Sequence, residues 1–204
     1  MLFFKSHIKT ISLPITIVIL FMGASSANSI KKADPLPHPG IFMTWLDYKT
    51  RNITIVDEIK LNHLFSGHYV DIVKDGKEAR FNKDSIFGYE DEKGKDYRFY
   101  KIYDDEYQIL ENLDMVIYVT YSPTHVPKGI SQPMMPYFYF SKSPTSEIIP
   151  LTRSNLINAY PENHNFHHEL EDEFKSGMPV STYDEANKMF RVNYLLHLSK
   201  TKSE

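Results

Sequence analysis

Three side chains near the C-terminal end of the chain have the types and spacing to hold a divalent cation. His164, His168 and Asp172 fall at i, i+4 and i+8, which on a helix puts them on one face. Imidazole with carboxylate suits a transition metal such as zinc, manganese or nickel. The zincin pattern is not met, because His168-Glu169 is followed three residues later by Asp172 rather than a second histidine. His167, Glu169, Glu171 and Glu173 crowd the same stretch. The favoured reading of the whole cluster is therefore a solvated acidic face near a helix start, where acids complement the helix dipole. The metal site stands as the alternative.

Two further groups could do chemistry. Asp84, Glu90, Asp91, Asp104 and Asp105 sit where strands should end, and a pair of carboxylates can serve acid–base work on a glycan. Most of them occupy turn positions, where Asp is common for local hydrogen bonding. Tyr97, Tyr100, Tyr103, Tyr137 and Tyr139, with Phe99 and Tyr107, are more aromatic surface than one small core needs. Tyrosine offers large contact area with a polar tip, so these five tyrosines are candidate ligand-binding residues. The competing reading is that they fill a sheet or barrel and its rim.

Other chemistries find no support. The chain has no cysteine, which removes thiol nucleophiles, disulfides and thiolate metal sites. No Gly-x-Ser-x-Gly, Walker or Gly-x-Gly-x-x-Gly sequence occurs. The net charge of −3 argues against a nucleic-acid binder, whose footprint is a basic face. No cofactor is implied.

The elements that must position these residues are mostly strands. Aromatics make up 14% of the chain, with 14 Tyr and 13 Phe, a composition that favours sheet. Ser66–Tyr121 reads as an antiparallel meander of short segments cut by turn signals. Asp75-Gly76 supplies the positive φ angles of a type I′ hairpin. Gly88 marks a bulge or a close approach, and Lys93-Gly94-Lys95 another turn. Met115–Tyr121 is apolar on both faces, as a central covered strand would be. Before the meander, Thr44 with Asp47 predicts a capped helical turn at Trp45–Lys49. Ser122–Pro133 is a loop long enough to suggest function. Tyr137–Ser141 and an edge segment at Ile148–Leu151 complete the strands.

Helices follow. Thr152–Ala159 is a short one. In Pro161–Lys175, Phe166, Leu170 and Phe174 make one apolar stripe. Thr182 and Glu185 have capping-box spacing and predict a last helix from there to about Leu198. Strands followed by helices give an α+β fold: an antiparallel meander forming a small barrel or curved sheet, with C-terminal helices packed against it.

The N-terminus has the parts of a secretory signal: Lys5 and Lys9, the apolar run Ile11–Met22, and small residues to Ala27. The expected organisation is a signal peptide over 1–27, a Pro-rich linker over 28–39, one α+β domain over 40–199 and a frayed tail over 200–204. An exported chain without cysteine fits a bacterial periplasm or cell envelope, with membrane contact only through the signal segment before cleavage. The segments Asp75-Gly76-Lys77, Asp84–Tyr89, Gly94–Arg98, Leu151-Thr152 and Ala159-Tyr160-Pro161 resemble a set of uncharacterised exported bacterial proteins, and that resemblance implies export without implying an activity. The function expected is a non-enzymatic binding or structural module of the envelope, taking an unknown envelope partner or a small ligand. The alternatives are a metal-binding protein or hydrolase using His164, His168 and Asp172, and a glycan-active enzyme using strand-end carboxylates.

Overall fold

Eight strands form one antiparallel sheet, three form a second, and two a small hairpin. The computed structural model describes residues 38–61, 67–100, 105–123 and 134–201. The large sheet runs in the order β11 (Ile149–Pro150), β10 (Met134–Ser141), β9 (Val116–Pro123), β8 (Asp105–Asn112), β7 (Asp96–Tyr100), β6 (Gly88–Glu90), β1 (Gly40–Phe42), β2 (Thr54–Ile55). The second sheet is β3 (Glu58–Leu61), β4 (Tyr69–Lys74) and β5 (Lys77–Asn82). Helix α1 (Trp45–Thr50) follows β1, and α2 (Arg153–Ala159), α3 (His164–Phe174) and α4 (Arg191–Thr201) follow the strands. The fold is α+β, as expected. Of the two expected forms, the open sheet is the one adopted. Its edges, β11 and β2, are two residues each, and Pro150 removes a donor from one of them, so neither can close a barrel.

Local signals work as the residue types dictate. Thr44 caps α1: its hydroxyl takes the Asp47 N–H at 3.1 Å and the Asp47 carboxylate takes the Thr44 N–H at 2.9 Å. Asp75 and Gly76 have φ of 51° and 70° and join β4 to β5 with Lys74 opposite Lys77. At Gly88 a Cβ would lie 1.9 Å from the Tyr97 carbonyl oxygen, so the cross-strand approach of β6 to β7 requires glycine.

β9 lies between β8 and β10, and its first half, Val116–Val119, is buried on both faces. Ile117 on one face packs with Phe140 of β10 and with Leu156, Phe166, Leu170 and Leu196 of the helical layer. Further along that face, Ile41, Tyr89 and Phe99 pack against Val70 and Ile72 of the small sheet. On the opposite face Val116 and Tyr118 join Tyr107 and Ile148, the last from the β10–β11 connection. The expected stripe Phe166, Leu170, Phe174 is the buried face of α3.

Two expectations are corrected. The segment from Ser66 to Tyr121 is not one meander, because β4 and β5 leave it to pair with β3 in the second sheet. The last helix does not start at Thr182. The Asp184 carboxylate accepts from the N–H groups of Ala186 and Asn187, each at 3.0 Å, and from Asn187 Nδ2 at 2.8 Å. That turn, with Lys188 at φ 56°, closes a hairpin of β12 (Tyr183–Asp184) and β13 (Met189–Phe190). Tyr183 and Ala186 therefore lie off the helix, and α4 begins at Arg191 and continues past Leu198 to Thr201.

α4 is locked to the large sheet by one buried side chain. Asn193 Oδ1 accepts the Met115 N–H at 3.0 Å and its Nδ2 donates to the Met115 carbonyl at 3.1 Å. The same amide reaches the Glu111 carboxylate, which also takes the Phe190 N–H at 3.0 Å. Burial pushes the Glu111 carboxyl up against these lowering hydrogen bonds.

Candidate functional site

The five candidate tyrosines do not converge. Tyr97 stacks on Tyr89 with ring centroids 4.7 Å apart, and burial pushes its hydroxyl up to about 12, helped by Asp91. Tyr100 and Tyr139 both pack edge-on against Tyr107, on the opposite face of the sheet. These three are half-buried core and rim. Tyr103 lies outside the described residues. Of the four described, only Tyr137 is an exposed contact surface, at 49%.

Tyr137 belongs to an element that spacing alone does not show. β9 and β10 pair along their whole length, from Val116↔Ser141 to Pro123↔Met134. β8 stays in register with β9 only as far as Gln108↔Val119. β11 pairs with β10 only at Tyr139 and Phe140, with one further bond from the Leu151 N–H to the Phe138 carbonyl. Beyond these points β9 and β10 continue as a two-stranded ribbon without strand neighbours among the described residues.

The ribbon carries large apolar side chains. Tyr121 and Met134 are each 55% exposed and Met135 46%. Tyr121 is opposite Pro136 and Tyr137 opposite Thr120. Strand alternation therefore places Tyr121 and Met134 on one face and Met135 and Tyr137 on the other. No charged residue occurs in Thr120–Pro123 or Met134–Tyr137, in a chain that is 24% charged.

The outer edge of the ribbon is blunted. The Phe138 carbonyl faces β11, so the alternate residues Pro136 and Met134 also point their backbone groups outward. Pro136 has no N–H to offer there. The ribbon presents side chains rather than a template for strand addition.

The candidate metal ligands are on α3, but they do not form a set. His168 Nδ1 is 3.4 Å from Asp172 Oδ2, an exposed pair one turn apart. His164 packs its ring edge-on against His167, centroids 5.7 Å apart, and His167 Nε2 is 2.8 Å from the Tyr160 carbonyl. Among the described residues no group of three or more His, Asp or Glu is placed to hold a metal ion.

Two of the strand-end carboxylates, Glu90 and Asp91, have structural partners. Glu90 is buried and paired with Arg51, which also holds Asp96 at 2.8 and 3.0 Å. Asp91 takes the N–H groups of Lys93 and Lys95 at 2.9 and 2.8 Å, and so closes the β6–β7 turn. The Asp84 N–H is capped by Asn82. Asp104 and the side chain of Asp105 lie outside the described residues.

Compared with protein-family models, with curated proteins and with solved structures, the chain shows no match. Sequence reasoning found Tyr137 but missed Tyr121, Met134 and Met135. The available signal was the uncharged, proline-punctuated character of the stretch on either side of the long loop.

Proposed function

We propose that this protein is an exported, non-enzymatic binding module of the cell envelope that docks a protein partner through the β9–β10 ribbon. The observation that carries the reading is the clustering of Tyr121, Met134, Met135 and Tyr137, each about half exposed, at the end of two strands that has no strand neighbour among the described residues. Met and Tyr are residues of contact surfaces: one adapts its shape and the other offers rigid area with a polar tip. Apolar side chains on both faces of a narrow ribbon suit insertion into a cleft better than apposition to a flat surface. The absence of charge along it matches an apolar partner surface. The signal-like N-terminus supports the envelope location.

A photo-crosslinking residue at position 137, compared with one at Lys49 on α1, tests this in cells that make the protein. A discrete protein adduct at 137 and none at 49 is expected. The adduct should disappear when Tyr121, Met134 and Met135 are changed to serine, with the Tm unchanged. Equal adducts at both positions, none at either, or a fall in Tm with the serine variant overturns the reading.

A further inference from the structure

β5 is the outer strand of the small sheet: it pairs with β4 and with no other strand among the described residues. We propose that this edge is where two copies of the chain meet, β5 against β5 and antiparallel, so that two three-stranded sheets become one.

The backbone fixes which groups are on offer. Lys74 is opposite Lys77 across a two-residue turn, and the Lys83 N–H reaches the His68 carbonyl at 2.9 Å. Alternation along the ladder then turns the backbone groups of Lys77, Ala79 and Phe81 toward β4 and those of Glu78, Arg80 and Asn82 away from it. Ser85 Oγ donates to the Asn82 carbonyl at 2.7 Å, which ends the open edge there. Glu78 and Arg80 remain, each with an N–H and a carbonyl facing outward. Pairing Glu78 with the second copy's Arg80, and Arg80 with the second copy's Glu78, satisfies all of them. Both copies use the same strand, so the contact closes at two. No proline interrupts β5, in contrast to β10.

The side chains select that register. Glu78 and Arg80 are exposed, at 74% and 59%. Within one sheet Lys60 lies opposite Asp71 and Asp71 opposite Arg80, and Arg80 bonds Asp71 at 2.6 and 2.8 Å. The second copy's Glu78 continues this row, so that positive and negative charges alternate across the joined sheets. The next registers of the same ladder place Arg80 opposite Arg80 or Glu78 opposite Glu78, and like charges directly opposite are destabilising. On the other face the register sets Ala79 opposite Ala79 and the Lys77 stem beside Phe81, which packs against the cluster holding Val70 and Ile72.

Sedimentation velocity on the purified full chain tests the contact. A monomer–dimer equilibrium with a Kd of about 0.1 mM is expected for so short an interface. Glu78→Lys and Arg80→Glu should each weaken it about tenfold, since each puts like charges opposite. An equimolar mixture of the two variants should dimerise about as tightly as wild type, because both facing pairs are then of opposite sign. Neither a lost bond within the sheet nor a lower Tm produces that recovery. The chain has no cysteine. Ala79 meets its own copy at a non-hydrogen-bonded position, where Cα atoms are about 4.5 Å apart, within disulfide reach. Ala79→Cys should therefore form a covalent dimer under mild oxidation, and Lys49→Cys on α1 should not. A chain that stays monomeric at about 1 mM, a single variant as tight as wild type, a mixture no tighter than its components, or equal crosslinking at the two positions overturns the proposal.

Discussion

Asp184 shows how much one partly buried side chain can decide. Its hydrogen bonds from Asn187 come first among the causes that hold its carboxyl down to about 2, against an ordinary value of 3.8. Arg191 adds a contact at 2.8 Å. A carboxylate depressed in the folded state contributes stability that is present above its ordinary pKa and lost as pH falls through the folded value. Acid unfolding followed by circular dichroism should therefore include a component between about pH 4 and pH 2 that Asp184→Asn removes. An acid limb of the same shape in wild type and variant would show that the β12–β13 turn does not depend on this charge. Arg98 makes the opposite case. It is buried, and its Nη1 donates to the Tyr118 hydroxyl at 3.0 Å and its Nη2 to the Ser146 carbonyl at 2.9 Å. The Tyr118 hydroxyl lies 2.9 Å from Ser141 Oγ, which donates to the Ser143 carbonyl at 2.7 Å. The rings of Phe87, Tyr100 and Tyr118 surround the guanidinium at 5.4 to 5.9 Å. Cation–π contact, one hydroxyl and one carbonyl stand where a carboxylate is the usual partner, and the chain of bonds ties the β10–β11 connection to the sheet.

At the scale of elements, the helical layer is attached through few polar bonds and much apolar contact. Asn193 mimics a strand neighbour for Met115. Asn193→Ala should cost about 1–3 kcal/mol for each buried backbone group it leaves unpaired, read as a lower urea midpoint with unchanged m-value. A loss below about 0.5 kcal/mol, the size of an ordinary surface substitution, would mean that water replaces the amide. The elements divide clearly into those the sequence makes legible and those it does not. Thr44 with Asp47, Asp75-Gly76 and the stripe on α3 act within a few residues, so their outcome is written where they stand. The Thr182–Glu185 pattern is just as local, yet the side chain of Asp184 offers the backbone a competing turn, and the turn forms. The separation of β4 and β5 into a second sheet depends on β3, a four-residue strand with weak local preference. No turn signal within Ser66–Tyr121 announces it.

For the molecule as a whole, exposure is the property least visible in sequence. Tyr137 and Tyr139 are two residues apart in one strand and share a face. Tyr139 packs against Tyr107 and Tyr137 is half exposed, because the pairing of β8 with β9 and of β11 with β10 ends between them. The four described candidates, Tyr97, Tyr100, Tyr137 and Tyr139, are therefore sorted into core, rim and surface by how far neighbouring strands accompany them. Among the described residues the outer edge of β10 is unpaired before Phe138, and Pro136 stands in it. The consequence concerns copies of the protein meeting one another. An uncharged aromatic ribbon with a complete row of outward N–H groups could add strand to strand without limit and grow fibres. A missing donor midway along the edge interrupts that growth at its first step. Pro136→Thr restores the donor on a residue suited to strands. Concentrated solutions of that variant should scatter light and bind an amyloid dye earlier than wild type at equal Tm, and an unchanged lag would show that the edge is protected by something else. If the variant aggregates first, Pro136 is the residue that keeps copies carrying this apolar ribbon from adding strand to strand.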